Sequence, residues 1–310
     1  MQELFDIVFT TGFGYSILRV TTPILFAALA ALISDRAGVI NIGLEGIMLI
    51  SALVGVVAGT SFGSPWLGLI VAVLAGAFIG MVMAYFSLNL KTDIILTGIA
   101  INLMAGGGTV FALSLLSGNK GSFAAAGMAL PRINIPLIES IPVVGPILSG
   151  HNILTYVSII AVIVIYYFLY KTALGLRIRS VGENPDAAAS VGVNVTKVKY
   201  IALIISGALA GFGGAYMSMG YMEGFTKNMT AGRGFIAMAA EAMGGASPIG
   251  TFFTSLFFGA ADALSNSISA LNIPPEFVQM TPYVATIIGL VIYSYNKKKR
   301  VLKAKKAKNK

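Results

Sequence analysis

Long apolar runs, separated by short polar breaks, dominate the chain. The longest, residues 46–90, contains no charged residue, and the segment Gly59–Pro65 within it has the Gly and Pro content of a turn. Because a helix needs about 20 apolar residues to cross a bilayer, this run predicts two crossings. Further runs without Asp, Glu, Lys or Arg occupy residues 94–119, 140–170, 200–222, 242–261 and 277–296.

The pattern predicts an all-α fold, a polytopic membrane helix bundle of roughly eight or nine spans. Residues 20–34 are apolar but short, and they cross only if Arg19 extends its charge to the interface. Residues 117–150 are rich in Gly, Ser and Pro and predict a long external loop. We therefore assign residues 1–299 to one transmembrane domain and residues 300–310 to a basic tail.

Composition narrows the class of protein further. Hydrophobic residues make up 56% of the 310 residues and charged residues only 11%, whereas soluble domains contain roughly 25% charged residues. This excludes a soluble enzyme, a disordered chain and a nucleic-acid-binding protein. The net charge of +9 arises in residues 297–310, which contain nine Lys or Arg, while the remaining 12 basic residues balance the 12 acidic ones.

The chain offers little for catalysis or metal binding. It has no cysteine and a single histidine, His151, which excludes a disulfide framework and thiolate metal sites. No HExxH, GxSxG or Walker motif occurs. We therefore predict no catalytic residue, no metal ligand and no cofactor on this chain.

The charge distribution predicts which side of the membrane the loops occupy. Residues 171–199 contain five basic residues and two acidic ones, so the positive-inside rule makes this loop cytoplasmic, together with the basic C-terminus after Tyr295. Two cytoplasmic points require an even number of crossings between them. Residues 235–270 must then cross twice or dip in and return, with a reversal near Gly244–Pro248.

Two short segments share a pattern that predicts an inverted repeat. Gly38–Glu45 and Gly234–Glu241 have Gly, Ile and Glu at the same spacing, and Arg36 and Arg233 lie just before them. About five predicted crossings separate the segments, which gives them opposite orientation. Inverted repeats place a transport pathway at their interface, with broken helices beside it.

Two acids fall within the predicted membrane region. Placing a charge at the bilayer centre costs roughly 2.5–3.5 kcal/mol on insertion scales, and such residues usually have a functional role. We expect Glu45 and Glu241 to line a polar pathway; the alternative is that each lies near an interface and binds helix-end amides. Asn41 and Asn102 are further pathway candidates, for which the alternative is a hydrogen bond between helices.

The loop at residues 171–199 contains a short predicted helix with strong end signals. Asn184 is a favourable N-cap, Pro185 suits the first helical position, and Gly192 ends the helix. One interpretation is that its alanines present a smooth surface that docks in a groove of another protein. The alternative is an ordinary helix lying on the membrane surface.

Three motifs resemble one family of transport proteins. The segment Thr172–Gly192 resembles the cytoplasmic coupling loop of permeases from ATP-binding-cassette (ABC) importers of the branched-chain amino acid/simple-sugar class. The segment Ser34–Met48 resembles the signature of the nucleoside-type, shorter permease subunit, and Gly244–Gly250 fits the same family. The likeness extends, in order, over nearly the whole chain.

The resemblance implies a permease subunit of an importer in the cell membrane, with nucleosides as the expected cargo. It implies three partners: a second, longer permease, a cytoplasmic ATPase that binds the ATP, and an extracytoplasmic substrate-binding lipoprotein. The Lys-rich tail is not part of the family pattern, and its charge predicts contact with anionic membrane lipids. No nucleic acid is expected. The residues implied in ATPase coupling are Gly182, Glu183, Asn184, Pro185, Ala188 and Gly192.

Three alternatives stay open at the level of sequence. The same machinery can carry a simple sugar or a branched-chain amino acid. An ion-coupled secondary transporter can use Glu45 or Glu241 as a proton or sodium site. A membrane-embedded enzyme is the least supported, because the chain has few His and Asp residues and no Cys.

Overall fold

The computed structural model describes residues 10–125, 127–139, 141–268 and 291. The described chain is mostly helical, and six of its helices are long and apolar enough to cross a membrane. The predicted span at residues 277–296 and the basic tail at 300–310 lie outside the described residues. The six spans are Thr11–Arg36 (α1), Leu44–Phe62 (α2), Pro65–Ala84 (α3, continued by a π-helical turn to Asn89), Ile94–Ser117 (α4), Ile153–Lys171 (α7) and Val195–Tyr216 (α10, continued by a π-helical turn to Tyr221).

Short strands mark one end of the bundle, which we call the strand end. Antiparallel pairs join Ser122–Ala124 (β1) to Gly224–Thr226 (β4), and Arg132–Ile133 (β2) to His151–Asn152 (β3). Three of these strands and the short helices Pro136–Glu139 (α5) and Val144–Leu148 (α6) lie in or next to the predicted external loop. This connection between α4 and α7 is therefore ordered, although none of it is long enough to span.

The opposite end of the bundle holds the predicted coupling loop. This loop consists of Ala173–Glu183 (α8) and Pro185–Ser190 (α9), between α7 and α10, and we call this end of the bundle the α9 end. Asn184 caps α9 as predicted, since its side-chain oxygen accepts the N–H of Ala187 at 3.0 Å. Gly192 has φ 85°, a conformation that favours glycine and ends the segment.

Glycines allow the spans to approach closely. A Cβ atom on Gly76 of α3 would overlap the carbonyl oxygen of Gly207 on α10, and one on Gly207 would overlap Gly76. Likewise, Gly214 packs directly on the backbone of Met48 in α2. Small residues at helix contacts are the usual means of close packing in membranes.

The last two described helices are Arg233–Met243 (α11) and Pro248–Ile268 (α12). The turn between them occupies Gly244–Ser247, where a reversal is predicted from the sequence. With 11 residues, α11 is about 16 Å long, roughly half of the hydrocarbon thickness of a bilayer. It is thus a half-length helix inside the bundle rather than a complete span.

Candidate functional site

The turn between α1 and α2, residues 37–43, carries a buried amide into the bundle. Asn41 is only 1% exposed, and its Nδ2 donates to the hydroxyl of Ser206, in the middle of α10, at 2.9 Å. Its Oδ1 is buried and has no hydrogen-bond partner among the described residues. Since buried polar atoms are almost always paired, this oxygen is available to a bound molecule or water.

Asn102 on α4 fastens the same turn from the other side. Its Nδ2 donates to the carbonyl of Ile42 at 2.9 Å, and its Oδ1 accepts the N–H of Gly46 at 2.8 Å. The second bond satisfies one of the free N–H groups at the start of α2. Both polar groups of Asn102 are therefore used within the protein.

Glu45, in the first turn of α2, binds the start of another helix. Its two carboxylate oxygens accept the N–H groups of Gly232 and Gly234 at 2.8 and 2.7 Å. An anion is favourable here because the N-terminal end of α11 carries partial positive charge. A Cβ on Gly234 would lie 2.6 Å from the nitrogen of Glu45, so the close approach requires glycine.

Glu241 behaves differently from Glu45. It lies near the end of α11 and is 7% exposed, and its Oε1 is buried without a hydrogen-bond partner in the described part of the chain. The charged groups that act on it electrostatically are Asp35 and Arg36, at the end of α1. Of the two predicted intramembrane acids, this is the one with an unused oxygen.

The two segments predicted to form an inverted repeat differ in backbone structure. Residues 38–43 of the first are a non-helical turn that leads into α2, whereas Gly234–Glu241 of the second is entirely helical. The segments are also in direct contact, through Glu45 and Gly234.

Two arginines hold the ends of the α11–α12 pair. Arg36 donates from its Nε and Nη2 to the carbonyl oxygen of Ala246, in the turn after α11. Arg233 forms an ion pair with Asp262 of α12 at 2.9 Å, the one ion pair within the described ranges. The sequence analysis did not single out Asp262, although it directly follows a charge-free run and is the first acid after Glu241.

The predicted coupling residues divide into an exposed set and an inward-facing set. Glu183, Asn184, Pro185 and Gly192 are exposed at the α9 end. Ala188 is only 4% exposed and packs towards its own chain, whereas Val191 is 78% exposed. Gly182 faces inward as well: a Cβ there would overlap the carbonyl of Arg36. The sequence did not predict Val191 as a coupling residue, and it is identified only by its exposure in the structure.

An open cavity of about 340 Å³ lies beside α9. It combines an apolar floor with the cations Arg177 and Lys197. The remaining lining residues come from α8, α10 and the loop between α9 and α10 and are Leu174, Val191, Gly192, Val193, Asn194, Val198 and Ile201.

His151 packs at the strand end. Its ring stacks on Tyr15 of α1 with the centroids 4.0 Å apart, and its Nε2 is 2.8 Å from the carbonyl oxygen of Ile147. Burial lowers the pKa of His151 below its ordinary value of 6.5. A small cavity of about 50 Å³, into which Arg19 and Arg132 also face, adjoins it. The described residues contain no group of three His, Cys, Asp or Glu side chains arranged to hold a metal.

Six helices that are long and apolar enough to span a bilayer are typical of a multi-pass membrane protein. A family model described as "Branched-chain amino acid transport system / permease component" matches residues 15–293. The chain belongs to this family of permeases.

Three relatives align with almost the whole chain. The guanosine ABC transporter permease protein NupQ of Bacillus subtilis (strain 168) is 39% identical, over 86% of this chain and 87% of NupQ. The nucleoside ABC transporter permease protein NupC of Lactococcus lactis subsp. cremoris (strain MG1363) is 37% identical, over 90% of each chain. A putative glucose ABC transporter permease protein of Haloferax volcanii, TsgC13, is 34% identical, over 92% of this chain and 88% of TsgC13.

Two more distant matches are a second permease from one of these organisms and a solved structure. The nucleoside permease protein NupB, from the same Lactococcus strain as NupC, is 27% identical, and the match covers 78% of NupB. Among solved structures, PsaBC from Streptococcus pneumoniae in complex with Fab matches with a TM-score of 0.54, over 93% of this chain and 94% of that chain. At 14% identity, this likeness shows the fold alone.

Proposed function

We propose that the chain is the pathway-forming permease subunit of an ABC importer for nucleosides, driven by separate ATPase subunits. The observation that carries the proposal is the identity of 39% and 37%, over nearly the whole chain, to permeases named for guanosine and nucleosides. Relatives of this kind act with ATPases on other chains, which agrees with the lack of a Walker motif here. The permease contributes the path and the coupling surface, and the ATPase contributes the energy.

Within the pathway, we assign two roles to the four predicted residues. Asn41 and Glu241 each have a buried oxygen without a partner among the described residues, so they are assigned to the cargo. Glu45 and Asn102 use their polar groups on backbone atoms, so they are assigned to the frame around it. Uncharged nucleosides, which both donate and accept hydrogen bonds, suit this mixture better than anionic nucleotides do.

The α9 segment is the proposed contact with the ATPase. Glu183, Asn184, Pro185 and Gly192 form its outer surface, and the exposed Val191 extends that surface with an apolar side chain. Gly182 and Ala188 act from beneath, because they seat the segment on the bundle. A rigid seat matters because a motion imposed on α9 must reach the spans.

The orientation in the membrane is part of the proposal. Five basic residues against two acidic ones in residues 171–199 favour a cytoplasmic α9 end, which puts the strand end outside. The predicted spans beyond the six described, the inverted repeat, the cytoplasmic C-terminus and the contact of residues 300–310 with anionic lipid stay predictions. So does the division into residues 1–299 and 300–310.

The proposed partners rest on the relatives and on this orientation. The presence of NupB beside NupC in one organism supports a second, longer permease as the other half of the pathway. The α9 end is assigned to the cytoplasmic ATPase, and the strand end to an extracytoplasmic lipoprotein that delivers the cargo.

The proposal is tested by transport in proteoliposomes that contain the assembled complex. We expect uptake of labelled guanosine that requires ATP inside the vesicles, persists with an uncoupler and is displaced by other nucleosides. Displacement by glucose or leucine instead would assign a different cargo to the same machinery. Uptake that continues without ATP and collapses with the uncoupler would contradict the proposal in favour of an ion-coupled transporter.

A further inference from the structure

The half-length helix α11 is held at both ends by the two charged residues that flank a single turn. Glu45 follows the turn at residues 37–43 and binds the N–H groups of Gly232 and Gly234, at the start of α11. Arg36 precedes the turn and donates to the carbonyl of Ala246, just after the end of α11. The two side chains on either side of the turn therefore contact both ends of α11.

Each contact has the charge that the helix end requires. The N-terminal end of a helix carries partial positive charge and the C-terminal end partial negative charge, so an acid at the first and a base near the second are both stabilising. Helix α11 has no side-chain cap of its own at Gly232. Its polar N-terminal partners thus come from α2, through hydrogen bonds that are strengthened by the charge of Glu45.

The same turn is in van der Waals contact with the base of α9. A Cβ on Gly38, which has φ 70°, would lie 3.3 Å from the Cα of Gly182 at the end of α8. A Cβ on Gly182 would overlap the carbonyl oxygen of Arg36. No side chain separates the two backbones, so a displacement of α8 and α9 acts directly on Arg36.

We propose that the turn at residues 37–43 transmits motion from α9 to α11, with Arg36 and Glu45 as the residues that position α11. The proposal rests on the proposed function, because it takes the ATPase as the source of the motion. A shift of Gly182 moves Arg36 and Glu45 together, and both ends of α11 follow as one unit. Glu241 lies on α11, so the motion changes the position of a pathway residue.

The first test measures coupling in the assembled complex. Gly182→Ala introduces a methyl group where the backbones touch, and Glu45→Gln removes the charge that binds the start of α11. The matched control is Gly106→Ala on α4, because an added Cβ at Gly106 meets no atom within 4 Å. The readout is the number of ATP molecules hydrolysed per guanosine transported, which a change in protein amount alone does not alter.

We expect Gly182→Ala and Glu45→Gln to retain ATP hydrolysis while uptake falls about tenfold, within the range of typical coupling energies. The control should keep the ratio of the unmodified complex. Equal ratios in Gly182→Ala and Gly106→Ala would overturn the proposal. If the unmodified complex moved no nucleoside with ATP, the proposed function itself would fail, and the two failures are thereby distinguished.

A second measurement stays decisive if Gly182→Ala does not fold. The chain has no cysteine, so Leu176→Cys and Phe235→Cys can be spin-labelled without further changes to this chain; both native side chains are exposed, on α8 and α11. We expect the distance distribution between the labels to change when ATP binds, and Arg36→Gln to abolish that change. A change of equal size in Arg36→Gln would overturn the proposal.

Discussion

Arg233 and Asp262 form an ion pair at 2.9 Å, and each side chain is only 12% exposed. Arg233 is the first residue of α11 and Asp262 lies in the second half of α12, so the pair joins the start of the half-length helix to its neighbour. The guanidinium also lies 5.9 Å from the ring of Tyr221, at the end of the π-helical turn after α10. One buried pair thus ties three elements together near the proposed pathway.

Removing one partner of this pair should destabilise the protein strongly. Arg233→Leu leaves the carboxylate of Asp262 buried without its cation, which typically costs about 3–5 kcal/mol. The double variant Arg233→Leu/Asp262→Leu should recover most of that loss, since no isolated charge remains. Unfolding in mixed detergent micelles, followed by circular dichroism, measures both. A double variant as unstable as the single one would show that the packing, not the charge, is at fault.

The two acids predicted to lie in the membrane, Glu45 and Glu241, should respond in opposite ways to the same substitution. Glu45→Gln should lower stability by about 1–3 kcal/mol, because it weakens two hydrogen bonds to buried N–H groups. Glu241→Gln should leave stability unchanged or raise it, because Oε1 of Glu241 makes no hydrogen bond within the described chain, and yet it should reduce guanosine uptake. Thermal unfolding and transport, measured on the same preparations, separate the effects. Exposed Glu139→Gln is the control for both.

The glycine contact between α3 and α10 should not tolerate a methyl group. Gly76→Ala places a Cβ against the carbonyl of Gly207, and overpacking of this kind typically costs about 1–3 kcal/mol. Gly106→Ala, which meets open space, should be neutral or slightly stabilising because alanine favours the helix. The midpoint of thermal unfolding in detergent compares the two, and equal midpoints would contradict the packing described here.

The outer and inner residues of the α9 segment should give different defects. Val191→Asp should weaken copurification of the ATPase without lowering stability, because the side chain is 78% exposed. Ala188→Arg should lower stability instead, because a long charged side chain cannot fit where Ala188 is buried. ATPase recovered with a tagged permease and the unfolding midpoint are the two readouts. Normal ATPase recovery in Val191→Asp would argue against this surface.

The strand end should lose stability in acid through His151. Burial lowers the pKa of this ring in the native state, so the unfolded chain binds the proton more readily. Its contribution to stability is therefore full above the unfolded pKa, about 6.5, and is lost as the pH falls below it. His151→Phe keeps an aromatic ring on Tyr15 but cannot be protonated. Its unfolding midpoint should fall less between about pH 7.5 and pH 5.5 than that of the unmodified protein.

Features that depend on residues close together in the chain could be predicted from the sequence. The turn before Pro65 and the cap at Asn184 were predicted because each depends on residues within four positions. The prediction of eight or nine spans rests partly on residues outside the described ranges, and six are described. The strands of the external connection have only two or three residues, too few for a recognisable alternation.

Long-range contacts set the limit of the sequence analysis. Glu45 binds amides 187 and 189 positions further along the chain, so no spacing rule connects them. The resemblance between Gly38–Glu45 and Gly234–Glu241 suggested equivalent structures. The first segment instead stays non-helical where Asn102 and Ser206 bind it, and the second becomes helix where Glu45 caps it. The tertiary partners, rather than the shared residues, decide the backbone in each place.

The dependence of α11 on Glu45 has a consequence for biogenesis. Glu45 precedes Gly232 by 187 positions, so α2 is synthesised well before α11. The carboxylate that accepts the first N–H groups of the half-length helix is therefore present before the helix is made. We expect α11 to fold against α2 rather than to insert as a separate apolar segment. If the two halves of the chain were expressed as separate polypeptides, the C-terminal half would fold correctly only in the presence of the N-terminal half.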